Sequence, residues 1–124
     1  MLKVFLLPVL ALLISSCANS ITDPTEKTKS ATITITDKKQ TYYSSLNEYG
    51  LVEIYYKVKN TGNVKIDYYK VYFKVTCKDG STYTEWDNGT DVDPGQEISD
   101  KTYVDTADKQ FSTVEVTKQE LTVY

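Results

Sequence analysis

Residues 66–77 read Ile66-Asp67-Tyr68-Tyr69-Lys70-Val71-Tyr72-Phe73-Lys74-Val75-Thr76-Cys77. From Tyr69 onward the apolar and polar residues alternate, the mark of a β-strand with one buried face. Tyr69, Val71, Phe73, Val75 and Cys77 are predicted to point inward, with Lys70, Tyr72, Lys74 and Thr76 outward. Ile66 falls on the wrong parity for the inward set, which predicts a bulge or bend near Asp67.

Working outward from this strand, Leu51 to Lys59 repeats the pattern. Val52, Ile54, Tyr56 and Val58 share one face, and Glu53, Tyr55, Lys57 and Lys59 the other. Ala31 to Thr36 places Ile33 and Ile35 together, and Glu97 to Val104 offers Ile98 and Val104 to a core. Phe111 to Tyr124 reads as a last strand that changes parity between Val116 and Leu121, predicting a bulge over Lys118 to Glu120. Asp79-Gly80 predicts a type I′ hairpin turn after Cys77. Thr82 to Trp86 reads as a short strand, closed by a second turn at Asp87-Asn88-Gly89-Thr90 and a third at Asp93-Pro94-Gly95. Tyr42 to Gly50 reads as a loop or a single helical turn. About seven strands and no helical stripe predict an all-β, antiparallel, immunoglobulin-like β-sandwich over residues 31–124.

The region 51–104 also carries a resemblance. Val58-Lys59-Asn60-Thr61-Gly62, a long strand holding Phe73-Lys74-Val75, then Asp79-Gly80 and Pro94-Gly95, are similar to the FxLYD-type domains of bacterial envelope proteins. In the motif that names those domains, Phe73 agrees and Val75 stands conservatively for Leu, while Thr76 and Cys77 replace Tyr and Asp. The resemblance implies an immunoglobulin-like sandwich with no catalytic residues to transfer.

The N-terminal segment supplies an address. Lys3 is followed by an apolar run from Val4 to Ile14, broken only at Pro8, and then by Ser15 and Ser16. Residues 1–16 thus have the three parts of a secretory signal. The alternative, a membrane-spanning helix, needs about 20 apolar residues, roughly twice this run. Ile14-Ser15-Ser16-Cys17 resembles the bacterial lipobox, which implies a diacylglycerol thioether on Cys17 and cleavage just before it; ordinary signal cleavage nearby is the alternative. Each buried methylene contributes about 0.8 kcal/mol, so two or more acyl chains anchor firmly. Residues 17–30 then form the lipidated N-terminus and a polar tether, reaching about 20 Å as flexible coil. The expected location is the cell envelope, with the membrane as partner through the lipid. Ala18 lacks the acidic side chain that often marks inner-membrane retention, which favours the outer membrane or the cell surface.

Composition excludes several chemistries. The chain has 14 basic and 17 acidic residues, a net charge of −3, with no His. All the basic residues are Lys, so the guanidinium fork favoured for phosphates is absent, arguing against nucleic acid as a partner. Without His, the usual Ser-His-Asp and Cys-His triads cannot be built. Lipidation of Cys17 leaves Cys77 alone, so neither a disulfide nor a thiolate–imidazole zinc site is available. Cys77 lies on the inward parity, where a thiol acts as a small hydrophobe. No cofactor is expected, and a small hydrolase built on two converging carboxylates is only a minor alternative.

Two local features remain. Asp87, Asn88, Asp91 and Asp93 gather oxygen ligands of the type Ca²⁺ takes. The spacing is not that of an EF-hand, and Asx and Gly residues populate turns for backbone reasons alone, which is the reading adopted. The chain also holds 11 tyrosines. Tyr55, Tyr68 and Tyr72 are predicted to face outward, and adjacent pairing of their strands would join Tyr55 and Tyr72 in one aromatic patch. Such a patch suits a protein or glycan partner; cross-strand stabilisation of the sheet is the other reading. The expected function is a non-enzymatic binding or adaptor module. A structural envelope component assembling by strand addition or self-association is the alternative.

Overall fold

The computed structural model describes residues 26–124. The signal segment, Cys17 and the first part of the tether lie outside them. Six strands follow in order: β1 (Ala31–Tyr43), β2 (Glu48–Asn60), β3 (Ile66–Cys77), β4 (Thr82–Val92), β5 (Glu97–Val104) and β6 (Phe111–Thr122). They form two antiparallel three-stranded sheets, ordered β1-β2-β5 and β4-β3-β6. Those orders match strands A-B-E and C′-C-F of an immunoglobulin-type sandwich. The fold is therefore the all-β sandwich expected, with six strands where about seven were predicted.

The alternation of β2 and β3 decides the packing. Val52, Ile54, Tyr56 and Val58 of β2 are buried, as are Tyr69, Val71, Phe73, Val75 and Cys77 of β3. These are the middle strands of the two sheets, and they face each other across one core. The Tyr56 and Phe73 rings meet there with centroids 5.0 Å apart, tilted by 59°. This tilted contact suits two quadrupoles better than a stacked sandwich. Cys77 is a free thiol in that core.

Several expectations are corrected. β1 runs to Tyr43, and Tyr42 to Gly50 forms neither a loop nor a helical turn but the end of β1, a Ser44–Asn47 turn and the start of β2. β4 does not end at Trp86. Asp87-Asn88-Gly89-Thr90 continues the strand, paired with β3 from Val71 back to Tyr68. Gly89 is there for space, since a Cβ at that position would overlap the Tyr69 phenol packed across from it. At Asp79-Gly80 only Gly80 has positive φ, at +88°. The Gly80 N–H reaches the Cys77 carbonyl at 3.0 Å, and the Cys77 N–H reaches that of Ser81 at 2.8 Å. That is a three-residue loop with a left-handed glycine, not a type I′ turn.

The predicted irregularities shift slightly. Ile66 and Tyr69 are both buried, so the alternation of β3 slips once between them. Pairing with β4 keeps one register from Ile66↔Val92 to Tyr68↔Thr90, and the adjustment is taken by Asp91 opposite, at φ 61°. In β6 the extra residues are Thr117, since Tyr72 pairs with Lys118 but Phe73 with Val116, and Ser112, since Thr76 pairs with Thr113 but Cys77 with Phe111.

The chain joins the sandwich earlier than residue 31. Asn63 receives the Thr28 N–H on its side-chain oxygen at 2.6 Å and donates its amide to the Glu26 carbonyl at 2.6 Å. The Thr61 and Gly62 N–H groups both reach the Ser30 carbonyl. Residues 26–30, expected to belong to the flexible tether, are thus fastened to the β2–β3 loop, so the chain enters the sandwich at that end. Asn60, fully buried, holds the same end together by donating to the Val64 and Val92 carbonyls at 2.8 Å each.

Candidate binding face

β3 is the middle strand of its sheet, so its outward side chains lie between two neighbours. Tyr72 stands opposite Trp86 of β4 on one side and Lys118 of β6 on the other. Lys70 lies opposite Asn88 and Glu120, and Tyr68 opposite Thr90 and Thr122. The surface collected in this way carries Tyr68, Tyr72 and Trp86 amid amides, hydroxyls and charges. Trp86, the single tryptophan of the chain, is 46% exposed.

The polar side chains are arranged around the rings. The Lys70 ammonium sits 4.0 Å from the Trp86 ring centroid and 5.1 Å from that of Tyr72. Lys118 lies 5.3 Å from the Tyr72 centroid and pairs with Glu120 at 2.8 Å. Their hydrogen bond raises the Lys118 pKa and lowers that of Glu120. The Tyr72 hydroxyl donates to Glu120 at 3.2 Å, and the Asn88 amide donates to the Tyr68 hydroxyl at 3.1 Å. Each contact limits the rotamers of an outward-facing aromatic, so the rings are held in place by their neighbours.

Tyr55 is not part of this face. β2 and β3 are consecutive in the chain but belong to opposite sheets, so Tyr55 and Tyr72 occupy opposite outer surfaces. The joint Tyr55–Tyr72 patch expected from the sequence does not form. Tyr55 instead lies near Lys39 and Lys101, at 5.3 Å and 5.5 Å, and Lys101 also approaches Tyr103. Trp86 takes the place that Tyr55 was expected to fill. Its signal was present: with β4 continued through Thr90, Trp86 shares outward parity with Asn88 and Thr90.

The acidic loop is dispersed by the same extension. Asp87 turns inward to accept the Tyr56 hydroxyl at 2.5 Å, and Asn88 turns outward. Asp91 pairs with Lys65 at 2.9 Å, and the Asp93 N–H is taken by the Gln96 side chain. Among the described residues no three acidic, His or Cys side chains are grouped as metal ligands.

The interior holds a polar cluster that sequence reading did not find. Tyr69 donates to Asp100 at 3.1 Å, and the Tyr56 hydroxyl lies 3.4 Å from the same carboxylate. Two edge strands, β4 and β5, thereby close one side of the sandwich through two buried tyrosines. Burial pushes both phenols above their usual pKa. For Tyr56 the hydrogen bond to Asp87 adds to this, and for Tyr69 the charge of Asp100 does. Both carboxylates are engaged by phenols of the core. The β1–β6 side differs, with half-buried Ile33, Ile35, Val114 and Val116 against the core.

At the end away from residues 26–30, the Tyr42 and Tyr49 rings meet with centroids 4.8 Å apart, tilted by 46°. They line a recess of about 470 Å³ with Asn47, Lys78, Asp108 and Lys109. Exposed Tyr43, Leu46 and Leu51 lie on the same hairpin.

No family model matches the sequence, and no curated protein or solved structure matches it.

Proposed function

We propose that this protein is a lipid-anchored envelope lipoprotein whose β-sandwich is a non-enzymatic binding module, with the outer face of β4-β3-β6 as its binding surface. The observation that carries the binding half is the convergence of Tyr68, Tyr72 and Trp86 on one outward face. Rigid aromatic side chains give large contact area at low entropic cost, and their polar neighbours supply directional bonds. The anchoring half rests on the lipobox-like Ile14-Ser15-Ser16-Cys17 behind an apolar run. Residues 26–30 join the sandwich at the β2–β3 loop, so the strands, and this face with them, extend away from the tethered end. An excess of acids and the lack of Arg argue against nucleic acid as the partner.

A photo-crosslinking amino acid at position 72, introduced into cells fed labelled palmitate, tests both halves together. The account expects a lipid-labelled protein in the membrane fraction and a crosslinked adduct from position 72, with none from position 55. Loss of the label, or equal adducts from both positions, contradicts it.

A second reading has its own observation. Among the described residues β6 pairs with β3 alone and β1 with β2 alone, leaving Ile33, Ile35, Val114 and Val116 half-buried along the seam between them. An extended segment added to the β6 edge would supply a seventh strand there. A crosslink from position 114, in place of position 72, favours this reading.

A further inference from the structure

We infer that the β4-β3-β6 face binds a polysaccharide that carries carboxylates, with Trp86 and Tyr72 as stacking planes and Lys70 as the residue that reads the charge. The inference rests on the binding-face reading and names its ligand class.

The first observation is what this face offers. Along β3 the outward residues are Tyr68, Lys70, Tyr72, Lys74 and Thr76, and their partners on β4 are Thr90, Asn88, Trp86, Thr84 and Thr82. No Leu, Ile, Val or Met is among them. A protein-docking patch centres on desolvated apolar anchors, whereas this face interleaves aromatic planes with hydroxyl, amide and ammonium groups. Sugars suit that arrangement. The C–H face of a pyranose is weakly positive and lies against the negative face of an aromatic ring, while its edge of hydroxyls bonds to polar neighbours. Trp86 lies beside Tyr72 at the strand spacing of about 5 Å, and Tyr68 lies about 13 Å along β3. The platform therefore has room for several residues of a linear chain. Asn88 uses one N–H on Tyr68, leaving its second N–H and its carbonyl for a ligand.

The second observation is charge. The chain is acidic overall, yet the face carries Lys70, Lys74 and Lys118 against Glu115 and Glu120. Lys74 pairs with Glu115 at 3.9 Å and Lys118 with Glu120 at 2.8 Å. Among the described residues, no carboxylate lies within ion-pair distance of Lys70, whose ammonium is held over the two aromatic rings. A cation poised over a stacking plane, with its cross-strand neighbour Glu120 beyond ion-pair distance and engaged by Lys118, is complementary to a ring that bears a carboxylate, as in a uronic acid. A cation held by ring quadrupoles gives up little when an anion approaches, because those contacts contribute only about 0.5–1 kcal/mol at exposed sites.

The test uses the full chain in non-ionic detergent, passed over beads coupled to polygalacturonate or alginate, with dextran beads as the neutral probe. Expected is retention on at least one acidic polysaccharide, weakened as salt rises from about 0.05 M to about 0.5 M, and none on dextran. Lys70→Gln and Trp86→Ala should each weaken retention by about tenfold, and Tyr103→Ala, on the opposite sheet, should leave it unchanged. Lys70→Gln alters an outward-facing, half-buried side chain with no ion pair among the described residues, and circular dichroism of the variant confirms that its effect is read without loss of fold. No retention on either acidic polysaccharide overturns the inference. So does retention that survives both variants, that falls equally with Tyr103→Ala, or that is as strong on dextran. Failed retention with a persisting crosslink from position 72 removes the ligand class and leaves the binding face standing.

Discussion

Tyr56 donates its hydroxyl to Asp87 at 2.5 Å, joining the middle strand of one sheet to an edge strand of the other. The ring is buried, so the phenol has no water to fall back on. With Tyr69 and Asp100 beside it, the pair turns one side of the sandwich into a hydrogen-bonded closure.

Removing the acceptor should therefore cost stability. Asp87→Ala leaves a buried hydroxyl with only the longer contact to Asp100, and an unsatisfied buried donor costs about 1–3 kcal/mol. Each kcal/mol lowers Tm by about 4–8 °C for a domain of this size. Thermal melts of the variant are expected to show that loss, and an unchanged Tm would mean the contact contributes nothing.

The same cluster sets a response to alkali. The folded pKa of Tyr56 and Tyr69 is raised, so folding favours their protonated forms. That contribution is fully present below the unfolded phenol value near 10. It falls as pH rises above that value, because the unfolded chain then releases protons that the folded chain holds. Of the 11 tyrosines, two should stay un-ionised until the domain unfolds. Absorbance titration at the phenolate band, compared with circular dichroism, checks this: smooth ionisation of all 11 in the folded protein would contradict it.

Gly89 is required by contact and not by φ. Gly89→Ala should destabilise by about 1–3 kcal/mol, the usual cost of overpacking, because the Tyr69 ring it displaces is buried and tied to Asp100. Neighbouring Asn88→Ala, facing solvent, should stay within about 0.5 kcal/mol. Chemical denaturation of the two variants separates them, and equal stability would contradict the packing argument.

Cys77 offers a chemical check on the core. Buried in the sheet interior, its thiol should be inert to a water-soluble disulfide reagent until denaturant is added. Measured in Cys17→Ser, so that one thiol remains, rapid labelling of the native protein would contradict the inward placement.

What could be read from the sequence follows from what periodicity encodes. A period of two shows which side of a strand is buried, and it placed Val52, Ile54, Tyr56 and Val58 of β2 and Tyr69, Val71, Phe73, Val75 and Cys77 of β3 correctly, while buried Ile66 lies out of phase and buried Asn60 was not among the inward residues. It does not show which strand lies alongside. Consecutive β2 and β3 suggest that Tyr55 and Tyr72 are neighbours, but residues 61–65 carry the chain from one sheet to the other. Composition misled at Asp87-Asn88-Gly89-Thr90, where turn-forming residues have other tasks: a hydrogen bond to Tyr56, a contact with Tyr68 and clearance for Tyr69. Ending the strand at Trp86 hid both the aromatic platform and the Tyr–Asp closure, since each needs β4 to continue.

The most direct test of the binding face compares the two sheets. Full-chain protein carrying Tyr72→Ser and Trp86→Ala, and a second version carrying Tyr55→Ser and Tyr103→Ala, would each be used to recover envelope material beside the wild type, with circular dichroism confirming that all three are folded. The account predicts at least about tenfold less recovery for the first pair and wild-type recovery for the second. Equal recovery from all three, or a loss confined to the Tyr55–Tyr103 pair, would contradict it.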